Sequence, residues 1–166
     1  MEASAERRFT MWAEARVARL HRIAFLLCGD WHVAEDLVQE ALCQAALRWR
    51  RIERLGNPDA YVRRILINQV NTRWRRRSSH ERVTDVLPES AVGDGAAERA
   101  ERDELLVALR GLPPKQRAAV VLRHFEQLSA AETAEVLGCS VGTVKSQTSR
   151  ALNALERVLT SEELPC

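Results

Sequence analysis

The chain has 166 residues, a hydrophobic fraction of 46% and a formal net charge of +2 at pH 7. This apolar content is sufficient for packed helical cores and excludes an intrinsically disordered chain. No apolar run reaches the ~18 residues that a membrane span requires, so the composition predicts a soluble protein.

The cysteines, Cys28, Cys43, Cys139 and Cys166, include no C-x-x-C pair, and the N-terminus does not resemble a signal peptide. These features predict a cytoplasmic protein with reduced thiols. Cys28 and His32 are four residues apart, but no second pair of metal ligands has zinc-like spacing. We therefore expect neither a metal site nor a cofactor.

The near-neutral net charge hides an uneven distribution along the chain. Six basic residues and one acidic residue lie between Pro58 and His80, whereas three basic and eight acidic residues lie between Glu81 and Glu104. Local charge matters more than the total for binding a polyanion. The basic block is therefore a candidate nucleic-acid surface.

Helical periodicity predicts a first helix from about Glu6 to Leu27 and a second from about Trp31 to Trp49, followed by a loop-like segment from Arg50 to Gly56. Asp30 is a suitable N-cap for the second helix.

The outward arc of the second helix includes Asp36, Gln39 and Glu40. Two carboxylates one turn apart repel each other, and a basic partner would offset that repulsion. From the spacing alone, an ordinary solvated acidic face is the favoured interpretation.

A third helix is predicted from Pro58 to about Arg77, because Asn57 can cap it and proline suits its first turn. Arg64, Asn68, Asn71 and Arg75 form a row at i, i+4, i+7 and i+11, with Arg76 beyond them. Such donors suit phosphates and bases, although a solvated basic face would have the same pattern. We expect Trp74 to be buried, whereas Trp49 could either pack or stack on a base.

Residues 78–97 lose the apolar periodicity and gain glycine, proline, serine and acidic residues. This composition predicts a flexible acidic linker between an N-terminal unit, residues 1–77, and a C-terminal unit, residues 98–166.

The C-terminal unit begins with predicted helices from about Glu98 to Arg110 and from about Pro114 to Phe125, with Phe125 facing inward. A helix-turn-helix follows. Ser129 and Glu132 form a capping box, Gly138 suits a helix end, and Ser140 can cap the next helix.

The second helix of this motif has one apolar side and one polar side. Its inward residues are predicted to be Val141, Val144, Thr148, Ala151, Leu152 and Leu155. Its polar residues include Thr143, Lys145, Ser146, Gln147 and Arg150. Amide and guanidinium groups match base edges, and lysine and hydroxyl groups bind phosphates, so the pattern favours recognition in a major groove.

Three segments occur in order: AEDLVQEAL, AYVRRILINQVNTRWRRR and LPPKQRAAVVLRHFEQLSAAETAEVLGCSVGTVKSQTSRAL. Together they resemble an extracytoplasmic-function (ECF) sigma factor of bacterial RNA polymerase, close to the actinobacterial SigE-type subfamily. The resemblance implies an all-α protein with sigma region 2 in the N-terminal unit and sigma region 4 in the C-terminal unit.

The resemblance also implies functional roles. Asp36, Gln39 and Glu40 match the D-x-x-Q-E signature that binds the clamp helices of the polymerase beta-prime subunit, and region 4 would meet the beta flap. The arginine-rich helix would recognise the minus-ten promoter element and hold the melted strand. An anti-sigma factor is a further expected partner.

The helix from Val141 to Leu155 would recognise the minus-thirty-five element. Many members of this family have T-V-K-S-R here, whereas this chain has Gln147 at the arginine position. Because glutamine pairs with adenine where arginine pairs with guanine, the base preference should differ.

A stand-alone helix-turn-helix regulator would also bind DNA, but it would not require the acidic face of the second helix. No histidine pairs with a nucleophile in a recognisable motif, so we do not expect an enzyme.

Overall fold

The structure is a computed structural model that describes residues 2–79 and 96–161. These residues form eight α-helices and one π-helical segment, with no strand among them. The N-terminal unit contains α1 (Glu2–Cys28), α2 (Trp31–Leu47), α3 (Trp49–Leu55) and α4 (Pro58–Ser79). The C-terminal unit contains α5 (Ala96–Arg110), α6 (Pro114–Val120), the π-helical segment Val121–Phe125, α7 (Ala130–Leu137) and α8 (Val141–Ser161). Most of the expected linker lies outside the described residues.

The predicted helix starts are confirmed by their caps. Asp30 accepts hydrogen bonds from the amides of His32 and Val33 at 2.9 and 3.2 Å. Asn57 accepts from the Ala60 amide at 3.1 Å. These short polar side chains satisfy amides that have no partner within their own helix.

The predicted helix-turn-helix is also confirmed. The Ser129 side chain accepts from the Glu132 amide at 3.0 Å, and the Glu132 carboxylate accepts from the Ser129 amide at 3.4 Å. Gly138 has a φ of 67°, a conformation that suits glycine at the end of α7. Ser140 accepts from the Thr143 amide at 3.1 Å at the start of α8.

The segment from Arg50 to Gly56, predicted as a loop, is mostly helical because it belongs to α3. Trp49 and Ile52, three residues apart, are both buried on one side of this helix. The Trp49 ring lies 5.3 Å from the ring centroids of both Phe9 and Trp12. Trp49 therefore packs in an aromatic cluster and is not available to stack on a base.

Three further predictions about burial are wrong. Phe125 is 43% exposed. The Glu126 amide donates to the carbonyl of Val121, five residues earlier, and this π-helical turn rotates Phe125 away from the direction that α-helical spacing predicts. Val141 and Leu152, at the edges of the apolar stripe of α8, are 40% and 41% exposed.

One hydrophobic core cluster extends through both units. It includes Ile23 and Leu66 from the N-terminal unit and Leu109, Leu122 and Val136 from the C-terminal unit. Helix α4 packs against α6 and α7, and α1 packs against α5, α6 and the π-helical segment. The two units are therefore in direct contact in this structure.

Candidate polymerase and nucleic-acid interfaces

The acidic face of α2 is exposed. Asp36, Gln39 and Glu40 are all exposed, while Leu37 and Val38 between them are buried. The Glu40 carboxylate accepts a long hydrogen bond, 3.5 Å, from the Gln44 amide one turn later. The buried residues orient the helix, so that its polar side chains are presented together on the surface.

The predicted row on α4 lies between two concavities. Arg64 and Asn68 are exposed and line a groove of 850 Å³ between α2 and α4, which Arg76 also lines. Asn71, half-buried, and Arg75 line a second cleft of 570 Å³ on the other side. The row is thus divided, with Arg64 and Asn68 in the groove and Asn71 and Arg75 in the cleft.

The groove contains two polar side chains that the sequence analysis did not select. The amide nitrogen and oxygen of Gln69 and the Nε of Arg73 are buried without a hydrogen-bond partner among the described residues. Both side chains line the groove together with Tyr61. Buried polar groups usually have partners, so these are candidates to bind a ligand. The only indication in the sequence was that Gln69 and Arg73 are polar residues on the apolar arc of α4.

The α8 residues divide into cap residues and outward residues. Thr143 is exposed, and its hydroxyl lies 2.8 Å from the Ser140 hydroxyl at the helix start. The Ser146 hydroxyl donates to the Thr143 carbonyl at 3.1 Å. Lys145 and Arg150 are exposed, and Gln147 is half-buried.

The 570 Å³ cleft, here called the reading cleft, contains residues from both units. It brings Asn71, Trp74 and Arg75 of α4 together with Gln147 and Arg150 of α8. Trp74 was expected to be buried but is 42% exposed, with the guanidinium carbon of Arg117 5.0 Å from its ring centroid. The cleft thus contains two of the α4 residues, Asn71 and Arg75, and two of the α8 residues, Gln147 and Arg150, that were predicted to bind separate DNA elements.

Charged side chains also connect the units. Glu126 is buried, and its carboxylate accepts from Arg63 at 3.1 Å and lies 2.9 Å from the Nε of Arg19. Arg63 itself is 9% exposed, although the predicted basic surface belongs to the same helix. The burial of Arg63 could have been predicted from its position on the apolar arc of α4.

Arg117 forms a second connection. Its guanidinium is buried and donates to the carbonyls of Leu109, Arg110 and Leu112 in its own unit and to Leu27 in the other, at 2.8 to 2.9 Å. Burial lowers the pKa of this guanidinium from its usual value. Five fixed donors allow arginine to satisfy several carbonyls at once.

The part of the chain that the structure describes has neither a group of metal-binding side chains nor a helix that could span a membrane. No three His, Cys, Asp or Glu side chains there are grouped so as to hold a metal ion. No helix among those residues has both the length and the apolar character to cross a membrane.

Comparison with known proteins identifies the family. Residues 12–80 match Sigma-70 region 2, and residues 102–155 match Sigma-70, region 4. The chain is 44% identical over 156 residues to the RNA polymerase sigma-E factor of Streptomyces coelicolor, covering 94% of this chain and 88% of that protein. The chain belongs to the ECF sigma factors, in the actinobacterial SigE-type group.

Other ECF sigma factors support this assignment. The ECF RNA polymerase sigma factor SigM of Mycobacterium tuberculosis is 34% identical over 143 residues, with 85% of this chain and 71% of that protein covered. The solved structure of the sigma factor RpoE from Bartonella quintana, in complex with the anti-sigma factor NepR, superposes with a TM-score of 0.78 at 28% identity. It covers 92% of this chain and 97% of that chain. The all-α fold and the two sigma regions are thus confirmed.

Proposed function

We propose that this ECF sigma factor binds core RNA polymerase through Asp36, Gln39 and Glu40 and directs it to promoters through α4 and α8. The observation that carries the proposal is that one packed helical unit has both an exposed acidic face, on α2, and a row of polar side chains, on α4. One rigid unit can thereby hold melted DNA beside the polymerase to which it is bound. The proposal divides the chain into region 2 (1–77), a linker (78–97) and region 4 (98–166).

Within region 2, the proposal assigns phosphate and base contacts to Arg64, Asn68, Asn71, Arg75 and Arg76. Unpaired bases expose edges and faces that a duplex hides, so their capture offsets the lost stacking when the promoter opens. The chain would contribute binding energy only, and the core enzyme would perform all catalysis. Because the core enzyme and chromosome occupy the bacterial cytoplasm, we assign the chain to that compartment.

Within region 4, the proposal assigns recognition of the minus-thirty-five element to Thr143, Lys145, Ser146, Gln147 and Arg150. Lys145 and the hydroxyls would bind phosphates, whereas Gln147 and Arg150 would contact base edges. A contact between this region and the polymerase beta flap is part of the same proposal. An anti-sigma factor is a further proposed partner, supported by the complex in which the Bartonella sigma factor was solved.

The test is run-off transcription with purified core polymerase and a promoter fragment selected by the holoenzyme. Asp36→Ala and Glu40→Ala should each weaken binding to the core and reduce transcription in proportion. Glu14→Ala, which removes an exposed carboxylate from α1, is the matched control. Full transcription by the double variant Asp36→Ala/Glu40→Ala would refute the assigned core interface.

A second experiment tests the DNA contacts. Substituting Arg64 with Ala should weaken binding of the holoenzyme to promoter DNA and reduce the salt dependence of that binding by about one counterion. Substituting Asn68 with Ala should instead weaken binding to selected bases while leaving the salt dependence unchanged. Identical base preferences in the Asn68 variant and the unaltered chain would remove Asn68 from the proposed site.

A further inference from the structure

The reading cleft has the size and position of a small-molecule site. Its volume, 570 Å³, lies within the range of about 300–1,000 Å³ that is typical of such sites. Its lining comes from α4 in the N-terminal unit and from α8 and residues 113–116 in the C-terminal unit. Small-molecule sites are common where two packed units meet. The cleft therefore has room for one ligand of ordinary metabolite size.

The cleft contains part of an aromatic ring. Trp74 lines it and is 42% exposed. The guanidinium carbon of Arg117 lies 5.0 Å from the centroid of the Trp74 ring, outside the lining of the cleft. Arg117 is itself fixed by four backbone carbonyls, so the indole packs against an immobile group. A ring that is already held in place loses little freedom when a flat ligand stacks on its exposed part.

Three carboxamides also line the cleft. Asn71, Gln116 and Gln147 are all half-buried there. None of the three forms a side-chain hydrogen bond with another residue that the structure describes. A carboxamide has a donor and an acceptor side by side, as the edges of nucleobases do. The cleft can therefore recognise a planar heterocycle by its face and by its edge.

The charge of the cleft is positive. Arg75, Lys115 and Arg150 line it, and the described residues of its lining include no carboxylate. Lys115 and Arg150 are exposed, and neither forms an ion pair with a described residue. Like charges repel one another, and a bound polyanion would remove that repulsion. Because guanidinium and ammonium groups bind phosphate strongly, the ligand that complements this lining carries phosphates.

We propose that the reading cleft binds a nucleoside polyphosphate, with the base stacked on Trp74 and the phosphates on Lys115 and Arg150. The proposal goes beyond the proposed function, since a free nucleotide is neither promoter nor polymerase. Trp74, Lys115 and Gln116 have no part in the promoter contacts assigned above. The other four polar residues of the cleft do, so a bound nucleotide would compete with promoter DNA for them. That competition alone rests on the proposed function.

Isothermal titration calorimetry of the free full-length chain with ADP tests the proposal. A purine has a large stacking face, and the diphosphate supplies the negative charge. Adenosine and inorganic pyrophosphate should each bind at least about tenfold more weakly than ADP, because each lacks one of the two recognised parts. Failure of ADP to bind at about 1 mM would overturn the proposal, and so would equally tight binding of adenosine or of pyrophosphate.

Substitutions test the location of the nucleotide. Trp74→Ala should weaken ADP binding by about 5-fold to 150-fold, the range expected for loss of one base–aromatic stack. Lys115→Ala should weaken it by about tenfold. Arg157→Ala, which removes another exposed cation from the C-terminal unit, is the matched control and should leave ADP binding unchanged.

The fold of each variant is checked by circular dichroism. Trp74 packs against Arg117, so its substitution carries a risk of unfolding. Lys115 is exposed, and its substitution tests the same site without that risk. Equal affinities of the Lys115→Ala and Arg157→Ala variants for ADP would overturn the proposal.

Promoter binding separates this proposal from the proposed function. Lys115→Ala should leave the affinity of the holoenzyme for promoter DNA unchanged, whereas Arg64→Ala, in the other groove, should lower it and leave ADP binding unchanged. If Lys115→Ala weakens both kinds of binding equally, Lys115 belongs to the DNA surface and the nucleotide site fails. If ADP does not bind while the holoenzyme transcribes, this proposal fails and the proposed function stands. If ADP binds while core polymerase does not transcribe with the unsubstituted chain, the reverse holds.

Discussion

Arg117 donates to the Leu27 carbonyl at 2.8 Å across the boundary between the two sigma regions. Leu27 lies in the last turn of α1, where carbonyls have no partner within the helix. Arg117 also donates to Leu109, Arg110 and Leu112, so one buried guanidinium links a region 2 helix to the turn between α5 and α6.

Substitution of Arg117 with Lys should therefore destabilise the protein although it preserves the charge. An ammonium group has three donors and no planar fork, so it cannot satisfy all four carbonyls. We expect the free energy of unfolding in urea to fall by about 2–4 kcal/mol. Arg157→Lys, at an exposed position on α8, is the control and should change it by less than about 0.5 kcal/mol. Equal effects of both substitutions would contradict the assigned role.

Gly29 and Gly56 provide a matched pair of glycine substitutions. Their φ values are 75° and 82°, so alanine at either position adopts a strained left-handed backbone, which costs roughly 1–2 kcal/mol. A Cβ at Gly56 meets nothing within 4 Å, whereas a Cβ at Gly29 would overlap the Arg110 guanidinium. Gly29→Ala should therefore lower the unfolding free energy further than Gly56→Ala.

The same pair tests the contact between the units. Energy transfer is measured between a dye at Glu14→Cys in the N-terminal unit and a dye at Glu156→Cys in the C-terminal unit, both exposed positions. Displacement of Arg110 should reduce this transfer in Gly29→Ala, while Gly56→Ala should leave it unchanged. A loss of transfer in both variants would show that backbone strain, and not the Arg110 contact, affects the packing.

Gln147 should set a base preference within the minus-thirty-five element. Gln147→Arg should shift that preference from adenine towards guanine at one position, with discrimination of about 1–3 kcal/mol. Transcription from a promoter series with single substitutions would measure the shift. Gln147→Ala is the comparison and should reduce the preference without creating a new one. A guanine preference in the unsubstituted chain would contradict the prediction.

Cys28 should react with iodoacetamide more slowly than Cys43. Burial raises the pKa of the Cys28 thiol, so a smaller fraction is thiolate at neutral pH, and the thiolate is the reactive form. Cys43 is exposed on α2. Mass spectrometry of the adducts over time would measure both rates, and equal rates would contradict the burial of Cys28. As the pH rises towards the Cys28 pKa, its rate should increase.

Local sequence patterns determined much of the fold. Asp30, Asn57 and Ser129 begin helices where their short polar side chains predict it, because capping involves only residues two or three positions away. The helix-turn-helix follows from the same local chemistry. The short helix α3 was missed because its seven residues contain only three apolar side chains, Trp49, Ile52 and Leu55, within an arginine-rich segment.

The tertiary structure decided which polar residues remain at the surface. Arg63 and Arg64 are neighbours in one basic helix, yet Arg63 is buried against Glu126 and Arg64 is exposed. Arg19 and Glu126 are 107 positions apart, and no helical periodicity relates residues so distant. Local spacing determined the helices and their caps, whereas contacts between distant segments determined that parts of the two proposed DNA-binding surfaces line one cleft.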